Sequence, residues 1–151
     1  MSTTATPQSA VAGIDPRGPQ FAAGLTSLVL IAVLLLAPGT AATVVLAVQA
    51  VLFAIGASRG VQHTPYSWLF RTLVRPRLGA PDELEDPAAP RFAQAVGLGF
   101  AVVGLVAFLA GADVLGEIAV GFALLAALLN AVFRFCLGCE MYLLIKRATA
   151  R

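Results

Sequence analysis

Long apolar stretches alternate along the chain with short runs of Pro, Gly and charge. A helix crossing about 30 Å of hydrocarbon needs roughly 17–25 apolar residues at about 1.5 Å each. Residues 21–37, 41–58, 92–110 and 117 to at least 135 meet that length. Pro38-Gly39-Thr40 is too short a break for anything but a tight hairpin. Beyond Arg134 and Glu140 the apolar pattern resumes at residues 141–145. This predicts a fourth helix longer than the bilayer is thick, ending in the headgroup region, where Lys146, Arg147 and Arg151 suit the negative helix end. The expected architecture is an all-α membrane protein with four transmembrane helices.

The connection over residues 59–91 carries structure of its own. Thr64-Pro65 reads as an N-cap with Pro at the first helical position, and Tyr66, Trp68, Leu69, Phe70, Leu73 and Val74 follow among Arg71 and Arg75. That mixture predicts a short interfacial helix over residues 65–75. From Arg75 to Pro90 the chain becomes an extended, Pro-punctuated strap, most simply a solvated linker. The segments are then a disordered tail (1–12), a first hairpin (13–58), the connection (59–91), a second hairpin (92–147) and a tail (148–151).

Composition agrees. The chain is 59% hydrophobic and 12% charged over 151 residues, about half the charge of a typical soluble domain, so lipid has to cover its apolar surface. A net charge of +2, with arginines interleaved among prolines and aromatics, excludes nucleic acid as a partner. No secretory signal is readable in residues 1–20. Arg59, Arg71, Arg75, Arg77 and Arg91 occupy the connection and further basic residues the C-terminal tail, whereas the hairpin turns have none; the second holds the acids Asp113 and Glu117. The positive-inside bias then places both termini in the cytoplasm, at a bacterial inner membrane.

An internal repeat organises the chain. Asp15-Pro16-Arg17-Gly18-Pro19-Gln20-Phe21-Ala22 is echoed by Asp86-Pro87-Ala88-Ala89-Pro90-Arg91-Phe92-Ala93. Phe53-Ala54-Ile55-Gly56-Ala57 is echoed by Phe135-Cys136-Leu137-Gly138-Cys139. Two echoes in one order predict tandem duplicated helical hairpins, related by an axis along the membrane normal. On this alignment Ala54 and Ala57 stand where the second copy has cysteines. The small residues Ala93, Gly97, Ala101, Gly104 and Gly111 should face a neighbouring helix. Gln49 and Asn130 are placed at similar depths, either bonded to each other or lining a pathway.

Cys136 and Cys139 are too few for a disulfide framework, and their CxxC spacing points to redox or sulfur chemistry, with a buried apolar role as the plain alternative. On a continuous helix their Cα atoms lie about 5 Å apart on one face, with Gly138 letting the backbone adjust. Facing the cytoplasm they are expected to rest mostly reduced. At a helix C-terminus, with Glu140 adjacent, the thiols are disfavoured as thiolates; Arg134 projects from another face unless the helix is distorted. His63 is the one histidine, a base on the same side of the membrane. Two cysteines and one histidine do not complete a zinc site, and no cofactor motif is readable.

The segments DPRGPxFAA at residues 15–23, RPxLGxPxELEDPxxPRFAQ at 75–94 and FCLGCEMYLL at 135–144 together resemble the bacterial integral membrane family known as domain of unknown function 4395. The resemblance implies a small multipass inner-membrane protein. It also suggests thioredoxin-like or rhodanese-like sulfurtransferase neighbours as cytosolic partners, and carries roles only to Cys136 and Cys139. The leading expectation is therefore a thiol-redox or sulfur-handling membrane protein. A small-solute transporter or channel, which four short helices would need a homo-oligomer to build, and a non-catalytic scaffold are the alternatives.

Overall fold

The computed structural model describes residues 13–150; the tail expected over residues 1–12 and the terminal Arg151 lie outside them. In chain order the α-helices are α1 (Arg17–Leu36), α2 (Thr40–Arg59), α3 (Pro65–Leu69), α4 (Ala88–Leu109), α5 (Asp113–Phe133) and α6 (Leu137–Thr149). Four of them, α1, α2, α4 and α5, are 20–22 residues long and apolar enough to cross a membrane. The protein is an all-α membrane protein.

Helices α1 and α4 begin a turn before the apolar stretches, and the DPxxP motif is the reason. The Asp15 carboxylate accepts the backbone N–H of Arg17 at 3.0 Å, and Asp86 accepts that of Ala88 at 2.9 Å. Pro16 and Pro87 are the N-caps, and Pro19 and Pro90 fall in the first turn, where a missing N–H breaks no helical bond. Thr64 caps α3 by accepting the Ser67 N–H at 3.3 Å, and the helix runs on through a π turn (Phe70–Val74) and a 3₁₀ turn (Arg75–Arg77). The interfacial helix expected at 65–75 lies here.

The hairpins exchange partners. Helix α1 packs chiefly on α5, and α2 chiefly on α4, around Leu30, Val33, Leu46, Phe53, Ala101 and Val120. The small residues of α4 make that approach feasible. A Cβ on Gly97 would lie 2.7 Å from the Phe53 ring, and one on Gly104 would lie 3.1 Å from Leu46. Gly111 is different: it sits in the turn after α4 with φ +80 and has nothing near it, so its role is conformational.

Contacts recur in pairs across the two halves. Ile14 and Glu85, each preceding a DP motif, exchange both backbone hydrogen bonds at 2.9 and 2.8 Å. The Gln20 side-chain amide donates to the Ala131 carbonyl at 3.0 Å near the end of α5. Its counterpart Arg91 donates to the Ala57 and Ser58 carbonyls, each at 2.7 Å, near the end of α2. Phe21 and Phe70 stand 5.8 Å apart, tilted 44°; Phe92 and Tyr142 stand 5.9 Å apart, tilted 45°. These pairs are what a two-fold axis through the Ile14–Glu85 bridge produces, and they match α6 on α4 with α3 and its following turn on α1.

Three expectations are corrected. The fourth apolar stretch is two helices, because Arg134 adopts the left-handed conformation (φ 55, ψ 24) and ends α5 before α6 begins. The strap is docked, not a free linker: Arg17 donates to the Gly79 carbonyl at 2.9 Å, and Ile14 pairs with Glu85. The second echo joins unlike places, since residues 53–57 lie within α2 whereas residues 135–139 span the break and the start of α6.

A candidate functional site at the start of α6

Cys136 is the N-cap of α6 (φ −83, ψ 101), and its sulfur accepts the backbone N–H of Cys139 at 3.2 Å. The two sulfurs are joined in a disulfide with Cα atoms 5.1 Å apart, so the described state is oxidised, where the sequence suggested a resting dithiol. Cys139 is 6% exposed, and Cys136 is half-buried. The sequence put this pair at the end of a helix, and the break at Arg134 puts it at a beginning. The sign of the local field therefore reverses, because a helix N-terminus carries the positive end of the dipole. Glu140 falls in the first turn of α6, where an acid suits that dipole. Gly138 serves contact, since a Cβ there would lie 2.7 Å from both Cα and Cβ of Ala93 on α4.

Thr64 and Ser67, not Ala54 and Ala57, hold the matching place in the first half. Thr64 Oγ1 and Ser67 Oγ lie 3.3 Å apart, and both donate to the Val61 carbonyl, at 2.7 and 2.6 Å. One half thus carries a hydroxyl pair at the helix start and the other a sulfur pair. Threonine, serine and cysteine all present a small cap atom that accepts an N–H. A T-x-x-S-x-x-F against C-x-x-C-x-x-Y comparison was the available signal, and identity of letters concealed it.

The other candidates are dispersed. His63 is exposed in the 3₁₀ turn Val61–His63, next to Thr64 on the opposite half from the cysteines. Gln49 is 1% exposed near the middle of α2, and its Oε1 accepts the Tyr66 hydroxyl at 2.8 Å. Asn130 belongs to the last turn of α5, so the two amides differ in depth and the Gln49 carbonyl oxygen bonds a tyrosine instead. Among the described residues no cluster of three or more His, Cys, Asp or Glu is arranged to hold a metal.

A cleft of about 570 Å³ opens beside the disulfide, between α1, α4, α5 and α6. Cys136, Cys139, Asn130 and Arg134 line one end; Thr26, Phe100 and Ala126 line the deeper part. Glu85 edges the cleft from the strap, where burial, and then the neighbouring Asp86, hold its carboxyl above the usual range. Beside the bridge, the Arg17 guanidinium holds the Asp15 carboxyl below it. No local stretch of sequence marks this space, because residues from helices far apart in the chain line it together.

The family model described as Domain of unknown function (DUF4395) matches residues 14–147, from the bridge residue Ile14 through the basic end of α6. The chain belongs to that family. Both DP caps, the docked strap and the sulfur pair of this DUF4395 protein all fall within the matched region. No curated protein and no solved structure matches the chain.

Proposed function

We propose that the protein is a thiol–disulfide exchanger of a bacterial inner membrane, with Cys136 and Cys139 facing the cytoplasm and a thioredoxin-like or rhodanese-like protein as partner. The observation that carries this reading is the position of Cys136 as N-cap of α6, where the Cys139 N–H and the helix dipole favour a thiolate. Cys136 is the more accessible sulfur and takes the attacking role; Cys139, buried behind it, resolves. The Cys136 thiolate attacks the partner's disulfide, forming a mixed disulfide and releasing one partner thiolate. Cys139 then displaces the partner's second thiolate, leaving the Cys136–Cys139 bond and a reduced partner. Run backwards, the same steps oxidise the partner. The clustering of basic residues at the end of the bundle that bears α6, with the hairpin turns at the other end, supports the cytoplasmic orientation.

Trapping tests the reading. A Cys139→Ser chain should accumulate a mixed disulfide through Cys136 in intact cells, and Cys136→Ser should not. Absence of any adduct on Cys139→Ser, under oxidant and under sulfur-compound stress, would discard it.

A further inference from the structure

Run in the direction that oxidises the partner, the exchange proposed above leaves Cys136 and Cys139 as a dithiol, so an oxidant is needed to close the pair again, and the cleft beside it constrains what that oxidant is. The cleft starts at the sulfur pair and reaches Thr26 and Phe100 near the middle of α1 and α4, roughly 15 Å down the bundle at about 1.5 Å per residue. Phe122 and Leu125, on its rim, are 56% and 55% exposed on the membrane-crossing helix α5, so the opening meets hydrocarbon. At the sulfur end Asn130 and Arg134 offer N–H donors; the deeper wall is apolar apart from Thr26.

The two halves border the cleft unequally. Phe53 fills the α2–α4 interface against Gly97. The residue equally far along α5 is Ala126, and the residue matching Gly97 on α1 is Thr26; both border the cleft, as do Phe53 and Gly97. One half thus presents an aromatic ring to the cleft at the position where the half that carries the sulfurs presents only a methyl.

We infer, resting on the exchange reading, that this cleft binds a bilayer quinone with its head against Cys136 and Cys139, and that the reduced pair passes its electrons to it. Such a ligand is apolar enough to enter from lipid, has carbonyl oxygens for the donors at the sulfur end, and suits the cleft in size. Both S–H bonds break and one S–S bond forms. The two electrons and two protons released convert the two quinone carbonyls to hydroxyls, giving the quinol and the disulfide seen here.

The full chain in detergent, treated with dithiothreitol and then freed of it, should titrate as two thiols per chain. A pair that dithiothreitol cannot open would overturn the exchange reading and this inference with it. Added decylubiquinone should close the pair and yield one quinol per chain. Thiols that persist in its presence overturn the quinone step alone. Ala126→Phe, which places a ring where its counterpart has one, should slow closure by roughly tenfold or more. An unchanged rate in a chain that still melts cooperatively overturns the cleft as the site, and Ala127→Leu supplies the same test if Ala126→Phe fails to fold. In the Cys136→Ser, Cys139→Ser chain a photoreactive azidoquinone should label α5 and α6 and be competed by decylubiquinone; labelling spread over all helices overturns binding.

Discussion

Cys136 stands to α6 as Thr64 stands to α3: each is the N-cap, and each accepts the backbone N–H of the residue three positions on. The first half builds this corner with hydroxyls alone, so sulfur is not required for the fold there.

Replacing Cys136 by Thr and Cys139 by Ser together should preserve the start of α6. The thermal midpoint in detergent under reducing conditions is expected to stay near that of the parent, within about 1 kcal/mol of stability, because the cap is retained. Thiol exchange should be lost completely. A collapse of the fold in this variant would show that the sulfurs serve packing.

Gly138→Ala tests the seating of α6. The added methyl meets Ala93 backbone, which cannot swing aside, so α6 must move off α4. We expect a loss of about 1–3 kcal/mol in thermal or denaturant unfolding, with faster reduction of the disulfide as α6 loosens.

The Gln49–Tyr66 bond closes a polar group inside the bundle. Tyr66→Phe leaves Gln49 Oε1 without its donor and should cost about 1–3 kcal/mol, whereas adding Gln49→Leu should recover much of that loss. A double-mutant cycle on unfolding free energies reads the coupling. Simple additivity would mean that the bond contributes nothing.

Two carboxylates near the bridge give opposite pH dependences. Burial raises Glu85, so the folded chain holds its proton more tightly than the unfolded chain, and stability falls as pH rises from the unfolded value to the raised folded one. Arg17 lowers Asp15, so its contribution is complete above the unfolded value and disappears as pH falls through the lowered folded value. Glu85→Gln should therefore raise the melting midpoint at neutral pH and remove the first decline. Asp15→Asn should lower the midpoint and remove the second. Melting curves from about pH 3 to about pH 8 separate the two.

The four crossing helices and the interfacial helix were legible in the sequence, because hydropathy over twenty residues and the Thr64-Pro65 cap are local signals. The DP motifs were visible as a repeat but not as caps, which moved both helix starts outward by a turn. The break at Arg134 was hidden, since arginine carries no letter-level mark of a left-handed residue, and Gln20 reaches the end of α5 from a distant helix. That one missed break placed the cysteines at the wrong end of a helix. Gln49 and Asn130 were paired by counting along an alignment whose second echo joined unlike places; Tyr66, seventeen positions further on, was the true partner.

Gln20 and Arg91 each finish a helix that belongs to the other hairpin. During synthesis the first hairpin consequently leaves the insertion machinery incomplete, with the carbonyls near the end of α2 waiting for an arginine not yet made. Each half draws hydrogen bonds for its second crossing helix from the other. Two fragments cut within the strap and produced in one cell should find each other, and either one alone should be cleared by proteolysis.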